Sequence, residues 1–159
     1  MDVIVSLKKA NNLSTLKFIF FSIVTLDIYE LVWIYQTNQS INKRLGVKVK
    51  SQSYIILLSV LVTISFLDNV LSLLELNNPF EKFNNIIEII KYLMFVEWSN
   101  YARYVLTYYC LGEYNINVKT KSFYMILFNI YYINYLINFL GDTKHINKEP
   151  PFSKNNKLI

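Results

Sequence analysis

The chain has 159 residues, of which 53% are hydrophobic and 17% charged, with 13 Tyr, 11 Phe and 2 Trp but only three Gly and three Pro. A soluble domain carries about a quarter charged residues, so this balance leans toward lipid, and so few Gly and Pro argue against a turn-rich β architecture. The net charge of +5 comes from bases that flank apolar runs; a nucleic-acid binder would gather them on one soluble face, so they read as membrane-surface anchors and no nucleic-acid partner is expected.

Gly46, the triplet Asn77-Asn78-Pro79, Gly112, Gly141 and Pro150-Pro151 fall between apolar runs and cut the chain into segments. Residues 1–15 form an N-terminal lead-in. Residues 16–141 are expected to be an all-α integral membrane domain, a bundle of about four transmembrane helices over 16–35, 54–76, 86–111 and 123–140. About 20 mostly apolar residues cross a bilayer, and all four segments meet that length. Segment 16–35 lacks a small-residue cleavage site and carries acids, so it is expected as an uncleaved helix rather than a signal peptide. Segment 54–76 has an uninterrupted apolar stretch from Tyr54 to Leu67. Segment 86–111 holds Glu88, Lys91, Glu97 and Arg103, and either spans the membrane or lies on it. Residues 142–159 form a basic tail, expected to be disordered, with the lone His145 solvated there. Cys110 is the only cysteine, which excludes an internal disulfide and a CxxC site. A soluble helical bundle is the alternative, but segments 54–76 and 123–140 lack the wide polar face of a surface helix.

At 100° per residue the polar positions fall into stripes. Asp27, Glu30 and Asn38 share a face; so do Ser65, Asp68, Ser72 and Glu75; so do Glu88, Lys91, Ser99, Arg103 and Thr107. Glu97 falls on the opposite side of its segment. In the last segment Tyr131, Asn134, Tyr135 and Asn138 form a narrow stripe, expected as a helix-packing surface because lipid offers no hydrogen bonds. Deep inside the segments sit four acids, Asp27, Glu30, Asp68 and Glu97, and one base, Arg103: a candidate intramembrane charge network. On an insertion scale each central acid costs roughly 3 kcal/mol, so the apolar residues of 16–35 only about balance Asp27 and Glu30. Arg103 is expected either to pair with Glu30 or Asp27 or to reach the interface on its long stem. The surplus acids take up protons, line water or hold a cation. Tyr29, Trp33, Tyr35 and Tyr54 flank the connection between the first two segments and are expected at the headgroup level.

Two stretches carry a resemblance. Thr25, Ile28, Tyr29, Trp33 and Tyr35, followed by Asn38 and Ile41-Asn42, resemble the opening of domain-of-unknown-function family 4234, where Asp27 stands in place of a Gly. Trp98 through Arg103 with Leu106, then residues 128–138, are similar to that family's aromatic/Arg and Tyr-rich ending. The resemblance implies a small bacterial multi-pass protein of the cytoplasmic membrane with no established activity.

No Ser/His pair, HExxH or second His is present, so the chain is not expected to be an enzyme, to hold a metal or cofactor, or to bind a known small-molecule ligand. The first functional expectation is a structural or accessory membrane protein acting through helix–helix association, with the lipid bilayer and either itself or another membrane protein as partners. The alternative is an oligomeric proton or cation conduit or carrier using Asp27, Glu30 and Asp68.

Overall fold

The computed structural model describes residues 3–11, 13–76, 82–118, 120 and 122–142. They form α1 (Val3–Asn11), α2 (Thr15–Val24), α3 (Ile28–Leu45), α4 (Gln52–Leu73), α5 (Asn84–Tyr114) and α6 (Ser122–Leu140), with no strand among the described residues. Local chemistry sets several ends. The Ser51 hydroxyl oxygen accepts the Tyr54 N–H at 3.3 Å and caps α4. Gly46 stops α3 at φ 70°, a left-handed conformation that is free of Cβ strain only in glycine. Gly112, expected as a breaker, lies inside α5; Asn115 at φ 53° ends that helix instead.

Segment 16–35, expected as one crossing, is two helices. Leu26 (φ 48°) and Asp27 (φ 69°) are both left-handed and interrupt it. The Asp27 N–H reaches the Ser22 carbonyl at 3.0 Å and the Leu26 N–H the Ile23 carbonyl at 3.3 Å, the paired closure of a Schellman motif. Thr25 ties the two helices together: its hydroxyl donates to the Phe21 carbonyl (2.8 Å) and accepts the Tyr29 N–H (3.0 Å).

Beyond this turn the chain folds back on itself. Phe21 packs on Tyr29 with ring centroids 5.2 Å apart, and Phe18 on Trp33 at 4.7 Å. Farther out, Thr37 donates to Asn11 at 3.1 Å and Arg44 to Ser6 at 2.8 Å. Partners recede from the turn in step, so α1 and α2 run antiparallel to α3 along its length, as the arms of an αα-hairpin. Residues 1–15, expected as a lead-in, therefore contribute α1, which buries Ile4 and Leu7. Apolar periodicity could not reveal the reversal because both arms are apolar.

α4 and α5 are antiparallel neighbours: the Tyr54 hydroxyl donates to the Met94 carbonyl, and Ser65 lies against Glu88. α6 is broken at Asn129 (φ 28°, ψ −109°). Its first stretch starts where Thr120 meets Arg103 and passes the Tyr92 hydroxyl at Ile126. Its second stretch runs beside α2 and α1, with Asn134 and Asn138 at Leu13 and Asp142 at Lys8. The Tyr124 and Tyr132 rings come within 5.9 Å, closer than eight residues of straight helix would bring them.

By length and composition, α4 and the stretch Phe123–Leu140 are apolar enough to cross a membrane. Where four crossings are expected, two such helices stand among the described residues; α2 and α3 are each too short or too polar, and α5 is long enough but less apolar than these two. The breaker Asn77-Asn78-Pro79 and most of the expected basic tail, His145 included, lie outside the described residues.

Candidate functional site

The hairpin turn delivers Asp27 to the side of α5, where Glu88 and Lys91 stand one turn apart on one face. Lys91 is 4% exposed, and its ammonium spends its donors on Asp27 Oδ2 (2.9 Å), Ser65 Oγ (2.8 Å) and Glu88 (2.8 and 3.0 Å to its two oxygens). Ser65, from α4, in turn donates to Glu88. One cation from α5 therefore binds the turn of the hairpin to α4. An ammonium away from water needs this saturation, because an unpaired buried charge is far costlier than a paired one.

Glu30 sits one turn beyond Asp27 and is buried, accepting the Tyr131 hydroxyl from just past the break in α6. Asp68, one turn beyond Ser65 on α4, is buried as well. The cluster is open on one side: the Asp27 and Glu88 side chains remain 39% and 40% exposed. Among the described residues, no three His, Cys, Asp or Glu side chains converge on a point that could hold a metal ion.

Of the expected charge network, the structure brings Asp27, Glu30 and Asp68 to one region and leaves Glu97 and Arg103 elsewhere. Arg103 stands twelve residues past Lys91, about 18 Å farther along α5, where it donates to Thr120 Oγ1 at 3.4 Å. Glu97 pairs with Lys50 at the start of α4. The cation that holds Asp27 is thus Lys91. Its signal was the Glu88–Lys91 spacing on a polar stripe, masked because Lys91 stands near the N-terminal end of its segment, where a base normally reaches water.

The polar stripe of α6 divides. Tyr131 bonds Glu30, Asn134 accepts from Thr15 at 2.9 Å, and Asn138 donates to the Leu13 carbonyl at 2.9 Å. Tyr135 instead points outward at 49% exposure, stacked between Tyr132 and Phe139. Of the expected interfacial aromatics, Tyr35 is exposed, whereas Trp33 is buried between Phe18 and Trp98 because the fold-back turns its face inward. Tyr29 is half-buried against Phe18 and Phe21, and Tyr54 lies under the Lys50 ammonium, 4.9 Å from its ring centroid. Sequence reasoning also passed over the role of Asn38. Its amide donates to the Lys50 carbonyl and accepts the Lys50 N–H, both at 3.1 Å, and Trp98 Nε1 approaches the same oxygen at 3.4 Å.

The fold and site define an all-α protein with two helices of membrane-spanning length and an interior held by ionic and amide pairs. The chain belongs to the family described as Domain of unknown function (DUF4234), whose sequence profile matches residues 13–142. No curated protein and no solved structure is a match. Several residues that carry the resemblance have structural work here: Thr25 bridges the turn, and Asn38 and Trp98 hold the α3–α4 connection, while Asp27 occupies a left-handed position of the kind that suits glycine.

Proposed function

We propose that this is a non-catalytic integral membrane protein of the multi-pass type, acting as a structural or accessory subunit that associates through its helices with a second copy or another membrane protein. The observation that carries this reading is the open side of the Lys91 cluster. Two carboxylates about two-fifths exposed would face lipid in an isolated copy, and lipid cannot hydrogen-bond them. A neighbouring helix bearing Ser, Asn or a base would satisfy them, as polar groups commonly do between membrane helices.

Photo-crosslinking tests it. A crosslinking residue at Val24 or Ile89, both exposed beside the cluster, should give a discrete adduct in native membranes, and one at Leu111, far along α5, should not. Asp27→Asn combined with Glu88→Gln should abolish the adduct while the protein stays in the membrane. Adducts unchanged by that pair would dismiss the cluster as the association surface.

A second reading is a proton or cation conduit formed by several copies. It is favoured by the two helix interruptions, at 25–27 and at Asn129, which meet through Glu30 and Tyr131; transporters build ion sites on discontinuous helices. Flux into vesicles containing the purified protein, lost on Asp27→Asn or Asp68→Asn, would favour it. Silent vesicles would leave the accessory reading standing.

A further inference from the structure

We propose that the chain enters the bilayer from one face: residues 16–35 dip in and return, as does α6, which is apolar enough to cross but breaks at Asn129; α4 makes the passage with the less apolar α5, whose Glu88 and Lys91 are turned onto Ser65 of α4; and the surface left behind is a basic rim that meets anionic lipid headgroups. The inference rests on the membrane reading above and fixes its topology.

The contacts along the hairpin are decisive. If residues 16–35 crossed, α1 and the end of α3 would lie on opposite faces of about 30 Å of hydrocarbon. Yet Arg44 touches Ser6 and Thr37 touches Asn11. The same holds for α6. Its far end sets Asp142 3.3 Å from Lys8, while the end of α5 that precedes it, at Gly112 and Glu113, shares a groove with Leu45 at the end of α3 and Val47 just beyond it. Residues 10, 48, 117 and 142 therefore belong to one end of the molecule.

The depth fits. Asp27 reaches the level of Ser65 through Lys91, and from Ser65 it is eleven residues back to Tyr54, about 16 Å of helix, and eight forward to the end of α4 at Leu73, about 12 Å. The turn at 25–27 thus stops near the bilayer midplane. α3 becomes polar from Gln36 onward, where it regains the headgroup level.

Charge selects the face. Lys8, Lys9, Lys43, Arg44, Lys48 and Lys50 all belong to the end that holds α1, whereas Lys82 is the one base among the described residues beyond the far end of α4. Four crossings would divide the bases nearly evenly; one-sided entry puts almost all of them on the cytoplasmic face, as the positive-inside rule requires. A rim so composed also attracts the anionic lipids of that leaflet.

Single cysteines at Ala10→Cys, Lys48→Cys, Asn117→Cys and Lys82→Cys, each in a Cys110→Ser background, test this with a membrane-impermeant maleimide. The first three should label only after the expressing cells are permeabilised, and Lys82→Cys should label in intact cells. Ala10→Cys and Lys48→Cys labelling from opposite faces would overturn the re-entrant hairpin, and Asn117→Cys opposite to Ala10→Cys would overturn one-sided entry. Release of the unmodified protein by alkaline carbonate would instead defeat the membrane reading, a failure the labelling pattern does not mimic. Binding to vesicles with and without anionic lipid, compared for the wild type and for Lys43→Gln with Arg44→Gln and Lys48→Gln, tests the rim; equal recovery would overturn the headgroup contact.

Discussion

Asp27 combines two opposed effects in one residue. Its backbone is left-handed, which costs a residue with a Cβ about 1–2 kcal/mol, less for Asp than for most, and its carboxylate receives the buried Lys91. Both Asp27→Gly and Asp27→Ala remove the carboxylate, but only Ala keeps the strain. Asp27→Gly should therefore be the more stable of the two by about 1 kcal/mol in thermal unfolding in detergent; equal melting would mean the turn relaxes in solution. Lys91 shows the other half of the balance. Lys91→Met leaves Asp27 and Glu88 side by side without a cation, and loss of about 3 kcal/mol is expected, the low end for a broken buried pair because both acids are partly exposed. Adding Asp27→Asn should recover part of that loss. A double variant no more stable than Lys91→Met would show that the pair does not hold the turn to α5.

At the scale of elements, the connections are fixed by a few polar groups and close approaches. Asn38 satisfies both backbone groups of Lys50, so Asn38→Ala should cost about 1–3 kcal/mol by leaving them unpaired and should raise amide exchange across residues 46–51. Gly141 lies so close to α1 that a Cβ there would stand 2.5 Å from the Lys8 Cβ. Gly141→Ala should push α1 off the end of α6 and destabilise the protein by about 1–3 kcal/mol, seen as faster proteolysis after Lys8 and Lys9. These positions also mark how far the sequence could be read. Helices α4 and α5 and the inward Tyr131, Asn134 and Asn138 of α6 follow from apolar runs and from 3.6-residue spacing, whereas the same spacing places Tyr135 inward and it faces out. The reversals at 25–27 and at Asn129 do not, since no Gly or Pro marks them: Leu26, Asp27 and Asn129 take positive φ without being glycine. Once the hairpin was missed, so were α1, the burial of Trp33 and the pairing of Asp27 with Lys91, because all depend on the chain doubling back. The acids Asp27, Glu30 and Asp68 were legible as misplaced charges, but their partners were set by depth along α5, which a helical wheel does not encode.

At the scale of the whole molecule, polar groups are buried within the apolar core while large apolar side chains cover much of the outside. The interior holds Lys91, Glu30, Asp68, Thr37, Ser99 and Asn134, all buried. The exterior of α2 presents Leu16, Phe20, Ile23 and Val24, and that of α4 and α5 presents Ile56, Leu57, Leu73, Ile86, Ile89 and Leu93, each more than half exposed. Soluble monomers rarely show contiguous apolar patches beyond a few hundred Å², and burying that surface in hydrocarbon contributes about 25 cal/mol per Å². The polar arm of α3 and the bases around it interrupt this surface at one end only, so a bilayer can cover the rest without covering a rim of lysines. Alkaline carbonate, which strips proteins held by charge, should therefore leave this chain in the membrane pellet, and only detergent should release it. The basic rim makes the control informative: high salt should not extract the protein either, although it screens the headgroup attraction. Recovery in the carbonate supernatant would mean that the exposed leucines and phenylalanines are covered by protein in a soluble assembly, and the apolar surface of α2 would then have to be buried between copies.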